Sequence, residues 1–219
     1  MSSPTQGAPR LCPSRLECAM RIAILGAGNV GGGLGAALAA AGHEIVYGVR
    51  DPGSDNARAA VANVPGSRAT EPSDAVAGAD VVVFALRPDA IAETAASLPS
   101  LDGRVVIDAM NRFTGDPTRS TTQDLVELLP SARVAKAFDT IGFENLTTAH
   151  ERATKAAMFV AGDDPEAKRV AMALAAEIGF EPWDAGPLDN ARVLEDMVKV
   201  WLAIARQHGR QVGFAITTG

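Results

Sequence analysis

Six glycines fall in the ten positions from Gly26 to Gly35, and three of them, Gly26, Gly28 and Gly31, keep the spacing G-x-G-x-x-G. The run follows the apolar stretch "RIAIL" (21–25) and enters a segment with Val30, Leu34, Leu38 and Ala41 on one helical side. Glycine inside a helix costs roughly 1 kcal/mol against alanine, so this helix must gain something at its mouth. After a strand, the first glycine permits a tight turn. The second lets backbone approach a pyrophosphate, and the third lets helix press on strand. The N–H groups of the first helical turn, helped by the helix dipole, then face the anion. The implied chemistry is dinucleotide binding, with Ala27, Asn29 and Val30 sharing the cradle. A glycine-rich linker would not sit between two patterned elements. Gly32, Gly33 and Gly35 lie outside the fingerprint and are expected to admit close packing of another backbone or of the ligand.

The end of the second strand distinguishes the nucleotides, because NAD calls for an acid at the ribose and NADP for a basic group at its extra phosphate. Here "YGVRDP" puts Val49 at the acid position and Arg50 after it, which favours NADP. Two alternatives stand beside this: a one-residue shift would offer Asp51 to the ribose, and Arg50 could be a solvated turn residue. Further along, "ALRP" (85–88) and "DAMN" (108–111) end the fourth and fifth strands, at the edge where such sheets bind ligands. Ala85, Leu86, Met110 and Asn111 are expected to line the nicotinamide half of the cleft, or else are plain strand ends. Arg87, Arg112 and Arg119 form an anion-binding rim or are scattered surface charge. No Ser-His-acid or Cys-His pattern is visible, the three histidines are far apart, and no side chain is assigned a catalytic role.

These residues need a scaffold that brings strand ends together. Apolar runs at 21–25, 44–49, 81–86, 104–109 and 133–138 alternate with helical stretches at 29–41, 54–62, 88–98 and 121–129. Strands apolar on both faces that alternate with helices predict a doubly wound, Rossmann-type α/β fold with a mostly parallel sheet. A C-terminal extension follows: a strand at 156–162, a helix at 164–179, a strand at 180–185 and a helix at 188–207. Asp163 or Asp164, Pro165 and Gly179 suit the ends of the first of these helices. The last helix, with Leu188, Val198, Trp201, Leu202 and Ala205, closes the domain or serves as a homodimer face.

Length and composition set the outer limits. With 219 residues, 47% apolar and 21% charged, the chain suits one soluble domain over residues 20–219. The longest apolar run, "VVVFAL", is too short to cross a bilayer. A net charge of −6 argues against a nonspecific nucleic-acid binder. Both cysteines, Cys12 and Cys18, lie in the first 18 residues and nothing has metal-ligand spacing, so a cytoplasmic setting is the default. Residues 1–19 carry three prolines and no apolar h-region, which reads as a disordered extension, with a transit peptide as the rival.

With the fingerprint, the stretches "GVRDP", "VVIDAMN", "VAKAFDTIGFENL", "AGDDPEAKRVAMALAAEIGF" and "DAGPLDNARVLE" make the chain resemble the coenzyme F420-dependent NADP oxidoreductase family over residues 20–207. The cytoplasmic domains of membrane metalloreductases share a related "KAF-N-T" stretch. The resemblance implies NADP(H) lying across "GAGNVG", with Ala27 to Val30, Val49 and Arg50 at the family's NADP-contact positions. It also implies a deazaflavin stacked on the nicotinamide. Arg87, Thr140 and Ile141 are the candidate residues on the side of this small-molecule substrate. Two positions depart: Asp139 replaces the asparagine of many relatives, and Leu86-Arg87-Pro88 replaces a bulkier loop. Hydride exchange between two such carriers mainly needs ring-to-ring placement at about 3–3.5 Å, and the cofactors carry the chemistry. The expected activity is hydride transfer between NADP(H) and coenzyme F420 or a similar small planar acceptor. The alternatives are a non-catalytic NADPH-binding or redox-sensing protein, in which Thr140, Ile141 and Gly142 meet a partner, and a small imine or carbonyl reductase.

Overall fold

Burial on both faces fixes the architecture of the sheet. Strands β1 (Arg21–Leu25), β2 (Glu44–Gly48), β3 (Arg68–Thr70), β4 (Val81–Phe84), β5 (Val105–Asp108) and β6 (Arg133–Lys136) run parallel in the order β3-β2-β1-β4-β5-β6. The computed structural model describes residues 19–218, so the extension and both cysteines, apart from Ala19, lie outside the described residues. Alternate residues of each strand feed two cores. Ile22, Ile24, Tyr47, Val83 and Ile107 pack beneath α1 (Asn29–Ala40), α2 (Asp55–Asn63) and α6 (Pro165–Glu177). Ala23, Leu25, Val82, Phe84 and Val106 pack on the opposite side against α3 (Pro72–Val76), α4 (Ile91–Ser97) and α5 (Thr121–Leu128). The strand order reverses where β1 lies between β2 and β4, and the crevice at the carboxyl ends of those strands is where such sheets bind ligands.

The C-terminal part forms a second, two-stranded parallel sheet of β7 (Ala157–Val160) and β8 (Glu181–Asp184), joined by α6. Asp164, rather than Asp163, caps α6, its Oδ1 accepting the Ala167 N–H at 2.8 Å. An antiparallel bridge between Lys136 and Ala161 ties this unit to β6. The last helix, α7 (Asn190–His208), starts after Leu188 and buries Leu194, Glu195, Val198, Trp201 and Ala205, while Val193 and Val200 remain exposed. No periodic signal marks β3 or α3 in the sequence. The predicted helix at 88–98 resolves into a 3-10 turn, Pro88–Ala90, followed by α4.

Candidate dinucleotide and acceptor site

The three fingerprint glycines do different work. Gly26 has φ of +106°, and a Cβ there would sit 2.4 Å from the Ala85 carbonyl oxygen. Its N–H donates to the Gly48 carbonyl at 2.9 Å, so the ends of β1, β2 and β4 converge on this residue. A Cβ on Gly31 would lie 2.0 Å from the Gly26 carbonyl oxygen, which is the close helix–strand approach expected of the third glycine. Gly28, the N-cap of α1, has no atom within 4 Å of the corresponding position. No side chain caps the helix there, and its first turn holds no acid. The N-terminal amides and the positive end of the helix dipole therefore face open space suited to an anion. The remaining glycines answer to packing: Gly35 makes room for the Tyr47 ring, and Gly33 for the Phe143 carbonyl. Gly32 meets only ordinary contacts. A cavity of about 440 Å³ runs from Ala27, Gly28 and Asn29 along α1 to Asn56 and Ala60 of α2, beneath Phe143 and Thr147.

At the end of β2 the cation and the acid are in different states. Arg50 is 77% exposed at its side chain, with Nη1 3.6 Å from Glu93 Oε2. Asp51 instead turns back on its own loop, accepting the Gly53 N–H at 2.8 Å. Val49 is half-buried and donates its N–H to Thr70. Among the edge residues, Ala85, Leu86 and Asn111 are half-buried and Met110 is buried. Each arginine considered for a rim already holds a carboxylate: Arg87 pairs with Asp89, Arg112 with Asp124, and Arg119 with Asp124 and Glu127. Thr140 and Ile141 are only 1% and 7% exposed.

Beneath this edge lies a buried ionic cluster that sequence reading did not assemble. Lys136, at the end of β6, donates to Asp108 Oδ2 at 3.1 Å, to Glu195 Oε1 at 3.0 Å, to Thr121 Oγ1 at 3.0 Å and to the Met110 carbonyl. Asp108 Oδ1 accepts the Met110 N–H at 2.9 Å, and Glu195 Oε2 accepts the Arg112 N–H at 3.2 Å. The cluster thus grips the backbone on both sides of Asn111. Burial opposes the charge on Lys136, yet Asp108, Asp139 and Glu195 together hold its pKa above the ordinary lysine value. Burial likewise opposes the charge on Glu195, but Lys136 and the Thr121 N–H hold its carboxyl below the usual range. The available signals were a lysine within an apolar strand and a glutamate on the buried face of α7.

Asp139 is the exception in this cluster. Burial pushes its carboxyl up to about 7, against the pull of Lys136. An unfolded aspartate ionises near pH 4, so between about pH 4 and 7 the folded state keeps a proton that the unfolded state releases, and stability falls as pH rises. Asp139→Asn is therefore expected to stabilise the protein by roughly 4 kcal/mol near pH 8 and negligibly near pH 4. Urea unfolding at the two pH values checks this; an equal effect at both would contradict it.

A parallel sheet with a glycine cradle and uncapped helix amides at its switch point defines an α/β dinucleotide-binding domain. The sequence model of the family described as NADP oxidoreductase, coenzyme F420-dependent, matches residues 21–112. The F420-dependent NADP reductase of Methanothermobacter thermautotrophicus is 31% identical over 224 residues, covering 90% of this chain and 95% of that protein. Metalloreductase STEAP3 of Rattus norvegicus is 28% identical over 180 residues, 81% of this chain but 36% of the rat protein. The chain therefore spans about a third of that relative. A crystal structure from Arthrobacter sp. FB24, of a protein thought to be an F420-dependent NADP reductase, has a TM-score of 0.79 at 27% identity, covering 91% of this chain and 100% of that one. The chain belongs to the coenzyme F420-dependent NADP oxidoreductase family and is by that membership an NADP-dependent oxidoreductase. Among the described residues, no helix is long and apolar enough to cross a membrane, and no group of His, Cys, Asp or Glu could hold a metal ion.

Proposed function

We propose that this chain moves hydride between NADP(H), held across Gly26 to Gly31, and the deazaflavin of coenzyme F420 or a similar small planar acceptor. The observation that carries the reading is the contrast within the fingerprint: backbone encloses Gly26 and Gly31, while Gly28 opens on space beside uncapped amides. These residues fit a pyrophosphate. The family and the 31% identity to an F420-dependent NADP reductase support the choice of acceptor. Nicotinamide, when bound, supplies and takes back the hydride. The protein's part is to bind and orient. Ala27, Asn29 and Val30 complete the cradle, and Val49 and Arg50 attend the extra phosphate. Ala85, Leu86, Met110 and Asn111 border the nicotinamide, with Arg87, Thr140 and Ile141 on the acceptor side. Steady-state assays with NADPH and F420, flavins or imines test the assignment. Tight NADPH binding without turnover of any of them would sink it in favour of a sensor.

Arg50 provides a sharper check. Replacing it with alanine is expected to weaken NADPH binding about tenfold, as loss of a charge-assisted hydrogen bond to phosphate does, and to leave NADH binding unchanged. Dissociation constants for both nucleotides decide the point, since an equal loss for each would remove Arg50 from phosphate recognition.

A further inference from the structure

Four ionisable groups, Lys136 and three carboxyls, meet below the strand ends, and Arg192 of α7 reaches one of them, its Nη1 3.6 Å from Glu195 Oε2. Asp108, at the end of β5, accepts from Met110 N–H, Thr121 Oγ1, Thr122 Oγ1 and Lys136 Nζ. Glu195, from α7, accepts from Thr121, from the Arg112 N–H and from Lys136. These two carboxylates already match the charges of Lys136 and Arg192, which leaves no cation for a third. Asp139 lies within electrostatic reach of Lys136, Asp108 and Glu195, yet neither of its carboxyl oxygens has a hydrogen-bond partner. Two neighbours are orphaned as well. Asn111 donates its Nδ2 to the Asp139 carbonyl at 2.9 Å and leaves Oδ1 unpaired, and the Thr140 hydroxyl is buried without a partner. Buried polar atoms are nearly always paired, and these unpaired ones gather at the ends of β5 and β6, on the nicotinamide side of the switch point. The backbone is unusual at the same place, because Phe138 is the non-glycine residue with positive φ, +65°, among the described residues.

We propose that Asp139 is the proton-holding residue of the nicotinamide end: its carboxyl is neutral in the free protein and with NADPH, and releases its proton when the cationic ring of NADP+ is bound. This rests on the dinucleotide reading above. A buried carboxyl with no donors, beside a cluster whose charges already balance, keeps its proton, and a positive charge brought into the same low-dielectric region favours the ionised form. The dihydronicotinamide ring is uncharged and exerts no such pull. Hydride transfer out of NADPH turns the ring into a cation and leaves a reduced acceptor that takes up one proton, so a carboxyl ionising at that step balances both. The position of Asp139 near neutrality, set by burial against Lys136, puts this exchange in the physiological range. An asparagine at this position would have no proton to release.

The test is titration calorimetry of the full chain with NADP+ and with NADPH, in buffers of different ionisation heat, from about pH 6 to pH 8. The two nucleotides carry the same phosphates, so the difference between them reports the ring. Expected near pH 6 is release of close to one proton per NADP+ bound and none attributable to the ring with NADPH. Relative to NADPH, NADP+ should bind about tenfold more tightly near pH 8 than near pH 6. In Asp139→Asn both the extra proton and the relative pH dependence should vanish. Absence of the difference in the wild-type protein overturns the proposal, whether or not the variant folds, as does its persistence in Asp139→Asn. Absence of binding by either nucleotide overturns the proposal together with the dinucleotide reading; binding without the difference overturns the proposal alone.

Discussion

Gly28→Ala is expected to leave the fold in place and to weaken NADPH binding by about two orders of magnitude. The backbone there, at φ −74° and ψ −166°, lies in a region that alanine adopts freely, and a Cβ would meet no atom within 4 Å. The added methyl therefore costs the folded protein little beyond the poorer capping preference of alanine, under about 1 kcal/mol. It occupies the space through which a pyrophosphate must approach the amides of α1. Pushing the anion out of hydrogen-bond range forfeits charge-assisted bonds of about 1.5–3 kcal/mol each, and two orders of magnitude correspond to about 2.7 kcal/mol. Gly31→Ala is the internal contrast. Its Cβ would stand 2.0 Å from the Gly26 carbonyl oxygen, so that variant should lose stability as well as affinity. Melting curves and NADPH titrations on the pair separate the two effects. Wild-type affinity in Gly28→Ala would mean that no dinucleotide lies across this turn.

The cradle was legible because what each fingerprint glycine does is set by residues within a few positions or by the strand it follows. The parallel sheet was legible for a similar reason, since strands such as "VVVF" are buried on both faces and show it in composition. β3 was not: it has three residues, Arg68–Thr70, pairs with β2 alone, and presents no apolar run. Its identity as a strand comes from hydrogen bonds to an edge that already exists. The surplus glycines belong to the same category, because the Tyr47 ring against Gly35 and the Phe143 carbonyl against Gly33 arrive from elsewhere in the chain. At the strand ends, Met110 and Asn111 could be placed at the right edge from pattern alone. What holds them there could not, because Asp108, Thr121, Lys136 and Glu195 come from four separate elements. The arginines show the same limit: their charge was visible, but their partners Asp89, Asp124 and Glu127 were not.

Lys136→Met should be the most destabilising single change in the buried cluster, costing about 3–5 kcal/mol near neutral pH. Methionine roughly fills the volume of the lysine stem, so the loss arises from charge. Asp108 and Glu195 would remain wholly buried with no cation between them, and the Met110 carbonyl would lose its donor. Against a typical total of 5–15 kcal/mol, that brings the domain close to unfolding. The pH dependence gives the sign. In the wild-type protein Lys136 helps to hold Glu195 below the usual carboxylate range, which stabilises the fold above the unfolded pKa and is lost in acid. Without Lys136 the burial of Glu195 favours its proton, so the deficit relative to wild type should shrink as pH falls toward about 4. Adding Glu195→Gln to Lys136→Met removes one of the stranded charges and should recover part of the stability at neutral pH. If that double variant folds, its cradle is intact but the backbone flanking Asn111 has lost the Lys136 donor at Met110, and a glutamine has one acceptor oxygen for the two N–H groups, of Thr121 and Arg112, that Glu195 served. Turnover should then fall more than NADPH affinity does. Urea unfolding at neutral and acidic pH, with nucleotide titration and turnover on the double variant, measures each of these; wild-type stability in Lys136→Met would show that the cluster does not need its cation.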